Sequence, residues 1–520
     1  MPRKSKTKSD IKKLGVSTAK GSVIFVAAQV FSSVITLLLL IGMTRLLKPA
    51  EFGFYSIAVA FSAVLGMGGN FGIGTALRKM LPESAKRQRT LDLINSSYFI
   101  STVLALVISL LGIVFSSWIA VNVYNDAALS LPLQIASAAV FLSVIMNTTL
   151  GALVGIERVK EAAVTDILYS TFQLIASVPL VLAGYGIAGA MFGYALGFVV
   201  GILIGVFYLV KKINYKITAP IKKTVNELLH FSVPVAVSTV ASVGATNFAV
   251  LILVVYATAS TVGNYSAAFR LGSIFTIVLT SLTFILLASF SKAFSDRNMS
   301  KRIEHIYNSS LRYSLVFILP LLAYVMAASA PLTHLLFSHL YTLAPFYLSV
   351  IAFGITLGII GSFAGILIIS YGDTKKYMYY QIAIIAVELV LLMVLTPLLG
   401  VTGTLLAAFV IAPLLSDALF MLALEKQFSI GIDIDMMIRT IIPSLLLWLL
   451  ATMISAALGQ RILVIAIDAV LILLLYPPLM VLFKAIDRKS VAFIRAVAGT
   501  LGFAGVLMDY ILKYAEFFIR

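Results

Sequence analysis

Three charged side chains lie inside stretches that are otherwise apolar: Arg270 in VGNYSAAFRL, Glu388 in IAIIAVELVLLMVL and Asp468 in VIAIDAVLIL. A guanidinium in a partly dry setting is a bidentate receptor for phosphate or carboxylate, and a carboxyl kept from water is a candidate acceptor for a proton or Na⁺. At the centre of a membrane helix each such charge costs roughly 2.5–3.5 kcal/mol, so each calls for a reason. Asp166 and Asp417 fall nearer the ends of their stretches, where headgroup water solvates them, and read as structural. Enzymatic chemistry has little to work with. There is no cysteine, and the four histidines (His230, His305, His334, His339) lack metal-ligand spacing. The glycine cluster GMGGNFGIG of residues 66–74 fails the G-x-G-x-x-G pattern because Phe71 occupies the third glycine position; it predicts close helix packing or a bend, with Asn70 facing a cavity. No G-x-x-x-x-G-K-[ST] loop is present, which disfavours direct ATP-driven work.

The elements that must position these groups are membrane spans. Of 520 residues 61% are hydrophobic and 11% charged, and the mean hydropathy is +1.06, a composition that in water would expose large apolar patches. Fourteen apolar stretches long enough to cross a bilayer are predicted, at 21–44, 54–77, 98–120, 131–154, 162–183, 187–210, 231–256, 264–290, 313–329, 346–371, 377–398, 401–424, 440–458 and 462–483. The first, preceded by the basic run MPRKSKTKSDIKK, reads as a retained span and not as a signal peptide. With both termini inside, 34 of the 38 Lys and Arg residues flank spans on the inner side. Only Arg45, Lys48 and Arg461 lie outside, and Arg270 is within a span. The net charge of +17 is thus topological and implies no nucleic-acid partner. The tail 485–520 predicts an interfacial amphipathic helix. Outer loops are short, the longest being 330–345, which leaves no room for an extramembrane catalytic domain.

Two six-span halves repeat. GFYSIA at Gly53 returns as GNYSAA at Gly263, an offset of 210. GIAGA at Gly186 returns as GVTGT at Gly400, and Gly155 with Arg158 returns more loosely as Gly372 with Lys375. Because six is even, both copies enter the membrane from one side, which makes them parallel repeats about an axis along the membrane normal.

TRLLKPAEFGFYS, GIGTALRKMLPE, ELLHFSVP and VGNYSAAFRL, in this order over residues 20–484, resemble the Wzx-type polysaccharide-transport flippases, relatives of lipid II flippases and of multidrug-and-toxin extrusion antiporters. The resemblance implies an all-α polytopic membrane protein with about 14 transmembrane helices: an N-lobe (21–210) and a C-lobe (231–424) in a V, joined by a cytoplasmic linker (211–230) and followed by two extra helices (425–484). It also implies alternating access that moves an oligosaccharide on an isoprenoid phosphate or pyrophosphate across the cytoplasmic membrane. On that reading Arg270, Arg45, Arg78 and Lys48 are candidate ligands of the substrate phosphate, Glu388 and Asp468 candidate coupling sites for a proton or Na⁺ gradient, and Asn70 and Asn247 polar cavity groups. The expectation is a monomer whose partners are the lipid-linked oligosaccharide and membrane lipids, with no cofactor and no metal. One departure stands out: after Thr246 and Asn247 come Phe248, Ala249 and Val250, where many relatives carry an acidic residue. A cation-coupled antiporter of small molecules is the alternative on the same fold. An enzyme acting on lipid-linked sugars would need paired carboxylates or a histidine base at an interface, and none is present.

Overall fold

The computed structural model describes residues 28, 30–84, 86–294, 299–431, 433–459, 462–486, 513–514 and 516–518. The basic N-terminus and most of the tail, on which the interfacial helix is expected, lie outside them; the described tail residues 513–514 and 516–518 are helical. The chain runs as α1 (Val30–Leu46), α2 (Pro49–Asn70), α3 (Ile73–Met80), α4 (Arg87–Asn122), α5 (Ser130–Gly155), α6 (Val159–Leu180), α7 (Gly186–Ile213), α8 (Lys222–Tyr256) and α9 (Ala259–Ala293). There follow α10 (Met299–Ala327), α11 (Ser329–Leu336), α12 (Ala344–Leu357), α13 (Ile359–Tyr371), α14 (Thr374–Leu399), α15 (Val401–Leu406), α16 (Ala412–Phe428), α17 (Ile434–Leu458) and α18 (Ile462–Leu482). No strand occurs among the described residues.

Over their described residues, the fourteen expected spans fall on single or broken helices. Among the described residues nine helices pass a length-and-apolarity test for crossing a membrane, ten if a bent pair counts as one. One of the nine, Val159–Ile213, is 55 residues long, about 82 Å at 1.5 Å per residue, and must be two spans. They part at Gly184 (φ 91°), the turn that the sequence marks with glycines. Side chains such as Val114 (71% exposed) and Leu203 (65%) face outward, as lipid-facing positions do. Polar residues gather between helices instead. Along the α4–α5 seam Tyr98 meets Thr149 (2.7 Å), Ser101 meets Thr148 (2.7 Å) and Ser109 donates to the Ser137 carbonyl (2.6 Å), contacts that hold helices together where apolar burial gives no drive.

Three departures from the sequence reading have physical causes. The second span is not one helix. It starts at Pro49, whose fixed φ suits a first turn, and breaks at Phe71 (φ 40°) and Gly72 (φ 70°) before α3 resumes. The tenth span bends by 40° between α12 and α13, at Gly358. The long outer loop holds the short helix α11.

By contacts the chain separates into two units, Met1–Gly263 and Asn264–Arg520. In the first, the segment after α7 is strapped to α4 by Asn95. Its Nδ2 donates to the carbonyls of Leu91 (2.9 Å) and Lys216 (3.0 Å) and to Thr218 Oγ1 (3.0 Å), while its Oδ1 accepts from Tyr215 Oη (2.9 Å) and the Thr218 N–H (3.3 Å).

The repeat is visible in local structure. Gly186 (φ 50°, ψ −131°) and Gly400 (φ 60°, ψ −137°) adopt one backbone conformation. Tyr55 and Tyr265 are 2% and 1% exposed, and Ser56 and Ser266 are both 3% exposed, with neither hydroxyl bonded among the described residues. Gly53 and Gly263, both in the first unit, meet backbone to backbone where α2 and α9 begin.

Candidate functional site

In the first unit the candidate phosphate ligands occupy two places. Arg45, in the last turn of α1, and Lys48, the N-cap of α2, are exposed three residues apart. The helix start beside them is fixed by Glu51, whose Oε2 accepts from the Lys48 backbone N–H at 2.8 Å. Arg78 is exposed on α3, past the break at Phe71 and Gly72, and so sits at the other end of the α2–α3 stretch. Its neighbour Lys79 stacks over the Phe231 ring at 4.6 Å. Asn70 is the half-buried last residue of α2 and Asn247 is half-buried on α8. The Asp166 carboxylate accepts from Ser32 Oγ at 2.9 Å and ties α6 to α1, in keeping with a structural role.

In the second unit Arg270 is half-buried on α9. It follows an aromatic ladder in which the Tyr265 and Phe269 rings stack at 6.2 Å and Phe269 meets Phe409 at 6.1 Å. Phe409 sits in the wider π turn Ala407–Ile411, which joins α15 to α16 and packs against α12. The helix that carries Arg270 is thus held on its apolar side by rings and by the α9–α12 contact of Gly272 with Ile351. Asn264, 2% exposed, accepts from the Leu343 and Ala344 N–H groups at 3.1 Å each, and so caps the start of α12 from α9.

Three described carboxyls of this unit, Glu388, Asp417 and Asp468, each have a tyrosine within electrostatic range, a proximity that the sequence reading missed. Glu388, half-buried on α14, interacts with Tyr265. Asp417, 6% exposed on α16, interacts with Tyr307, and Asp468, fully buried on α18, with Tyr324. Asp468 Oδ2 accepts from Ser455 Oγ at 2.9 Å, tying α18 to α17, while Oδ1 has no partner among the described residues. Asp417 does more than sit near an interface. Its Oδ1 accepts from the Gly361 N–H at 2.7 Å, one of the open donors at the N-terminus of α13 that the bend creates. A side chain on Gly361 would press on that oxygen. The carboxylate therefore caps a half-helix, and its burial is matched by a charge-assisted bond.

The structure thus groups Arg45 with Lys48 in one unit and places Arg270, Glu388 and Asp468 in the other. The one signal that could have led to a carboxyl's partner is Tyr265, already part of the repeated GNYSAA motif; Asp417's partner, 56 residues away, left none.

The family described as polysaccharide biosynthesis protein matches residues 18–292. No curated protein sequence matches significantly. Among solved structures, the lipid II flippase MurJ in an inward closed conformation superposes with a TM-score of 0.73 at 16% identity, covering 89% of this chain and 98% of that one. An inward-facing multidrug resistance MATE family transporter of the MOP superfamily gives 0.63 at 17% identity, covering 76% and 94%. A MOP superfamily transporter from Pyrococcus furiosus, described by the reverse polarity of its binding pocket, gives 0.55 at 17% identity, covering 79% and 95%. At these identities the likeness is one of fold.

Proposed function

The chain belongs to the polysaccharide biosynthesis protein family, and from that membership we propose that it is a flippase that carries an oligosaccharide, linked to an isoprenoid phosphate or pyrophosphate, across the cytoplasmic membrane by alternating access. The observation that carries the reading is the family match over residues 18–292 on a chain whose fold follows the lipid II flippase MurJ across 89% of its length. The MATE likenesses, which would favour the antiporter reading, cover 76% and 79% of this chain at TM-scores of 0.63 and 0.55. Orientation with both termini in the cytoplasm follows from the placement of 34 cations on one side. In this scheme Arg45 and Lys48 meet the phosphate on the outer side, Arg78 meets it on the inner side, and Arg270 holds it within the membrane. Asn70 and Asn247 offer hydrogen bonds to the sugar path.

The direct test is mass spectrometry of lipids that co-purify with the protein in mild detergent. An isoprenoid that carries sugars is expected; retention of small cationic amphiphiles alone would favour the antiporter.

The driving force is tested at Glu388. A half-buried carboxyl within a membrane span is suited to take up a proton or Na⁺. We expect Glu388→Gln to remove the dependence of transport on an ion gradient while substrate binding stays within about twofold, because the amide keeps shape and loses charge. Unchanged ion dependence in Glu388→Gln would move the coupling role elsewhere. Asp468→Asn is the parallel variant for the second candidate, read in the same assay.

A further inference from the structure

At the basic end of the first unit three connections converge: the α3–α4 turn, the α5–α6 turn and the end of α7 with the segment after it. Residues 78–92, 157–161 and 211–227 of these connections carry twelve Lys and Arg against five Asp and Glu. Between them opens a cleft of about 540 Å³. Its polar wall includes Arg87, Lys212, Ser84 and Thr90, and its apolar wall includes Leu91 and Ile213.

The two cations are not equivalent. Lys212 Nζ is bridged to Glu161 at 3.1 Å, so its charge is largely met inside the protein. Arg87 is held differently. Its Nη2 donates to the carbonyls of Ile213 (3.2 Å) and Asn214 (3.5 Å), which tethers the exposed guanidinium at the cleft through one nitrogen and leaves its charge without a carboxylate among the described residues. Beside it the Ser84 and Thr90 hydroxyls share a 2.8 Å hydrogen bond, and Ser84 Oγ donates to the Leu81 carbonyl at 2.7 Å. With the Ser84 proton on the Leu81 carbonyl, Thr90 donates the shared bond, so both hydroxyl protons are used within the protein. Glu157, which also lines the cleft, opposes a dianion more than a monoanion.

A tethered guanidinium and an apolar wall at the membrane boundary match an amphiphile with one negative charge at its head. Basic pockets between membrane helices bind anionic headgroups in this way. We propose that the cleft holds the phosphodiester headgroup of an anionic glycerophospholipid from the leaflet on the basic side, with Arg87 as its principal ligand. The shared chemistry of a phosphate monoanion is also offered by a soluble phosphate ester, but the Leu91 and Ile213 wall serves only a ligand that continues into acyl chains.

The test uses the full-length protein and counts bound phosphatidylglycerol by native mass spectrometry, with phosphatidylcholine as reference. Phosphatidylglycerol is expected to bind preferentially, and Arg87→Gln to lower its affinity about tenfold, the scale of one charge-assisted contact. Arg87→Lys keeps the charge and loses the fork, so an intermediate, several-fold loss is expected. It remains informative if Arg87→Gln does not fold. Lys79→Gln, equally basic but stacked on Phe231, is expected to bind as wild type. Three results would overturn the proposal: wild-type affinity in either folded Arg87 variant, an equal loss in Lys79→Gln, which would mean diffuse surface charge only, or displacement of the lipid by glycerol 3-phosphate at comparable concentration, which would assign the cleft to a soluble ester.

Discussion

Arg270→Ala is expected to abolish transport and to weaken binding of the lipid-linked substrate by roughly a hundredfold, about 2–3 kcal/mol, while the protein still inserts and folds. The argument begins from position. Arg270 lies six residues beyond Asn264, about 9 Å along α9 at 1.5 Å per residue, with Tyr265 and Phe269 stacked on the turn before it. The repeat pairs it with Ala60, which is 4% exposed in the first unit, so the fold itself asks for no cation here. A half-buried guanidinium can bind a phosphate through two parallel hydrogen bonds, which an ammonium does not reproduce. Arg270→Lys should therefore recover only part of the affinity. Binding is measured on detergent-purified variants whose melting temperature matches wild type, and transport in proteoliposomes. Wild-type affinity in well-folded Arg270→Ala would mean that the side chain reaches to the headgroup layer and has no part in substrate binding.

Hydropathy and charge made the membrane fold legible because both act over whole segments. A run of apolar residues has one stable setting in a bilayer, and one misplaced span near the middle would reverse every later loop and dissolve the 34-to-3 charge bias. The turn at Gly184 and Gly186 was equally legible, since glycine at positive φ is a local preference. What sequence did not reveal was set by partners far along the chain. The bend between α12 and α13 is stabilised by Asp417, 56 residues beyond Gly361, and a reading that sees only distance from a span's end takes this carboxylate for a solvated group. The break at Phe71 follows the same logic. A phenylalanine at positive φ is disfavoured locally and is kept by its surroundings, here the Ser232 carbonyl and Val235 pressed against Gly72. The tyrosines within electrostatic range of Glu388, Asp417 and Asp468 went unseen because a hydropathy window counts tyrosine as one more span residue.

Gly53→Ala and Gly263→Ala are each expected to lower the melting temperature by several degrees and to cut transport by at least tenfold, with effects of similar size at the two positions. A Cβ on Gly53 would overlap the Ala259 carbonyl, and one on Gly263 would overlap the Pro49 carbonyl. Backbone cannot turn aside as a side chain can, so α2 and α9 must separate at their first turns. Overpacking of this kind costs about 1–3 kcal/mol even against movable side chains. The two overlaps are one contact seen from its two sides: adding 210 to Pro49 and Gly53 gives Ala259 and Gly263. The double variant should accordingly be less than additive, because the first methyl already parts the helices that the second would push. Gly66→Ala supplies the control. It lies on the same helix, its nearest neighbour to a new Cβ is Ser143 Oγ at 3.7 Å, and it is expected to behave as wild type. Wild-type melting and transport in both single variants would show that the crossing has slack and that neither glycine is required by the contact.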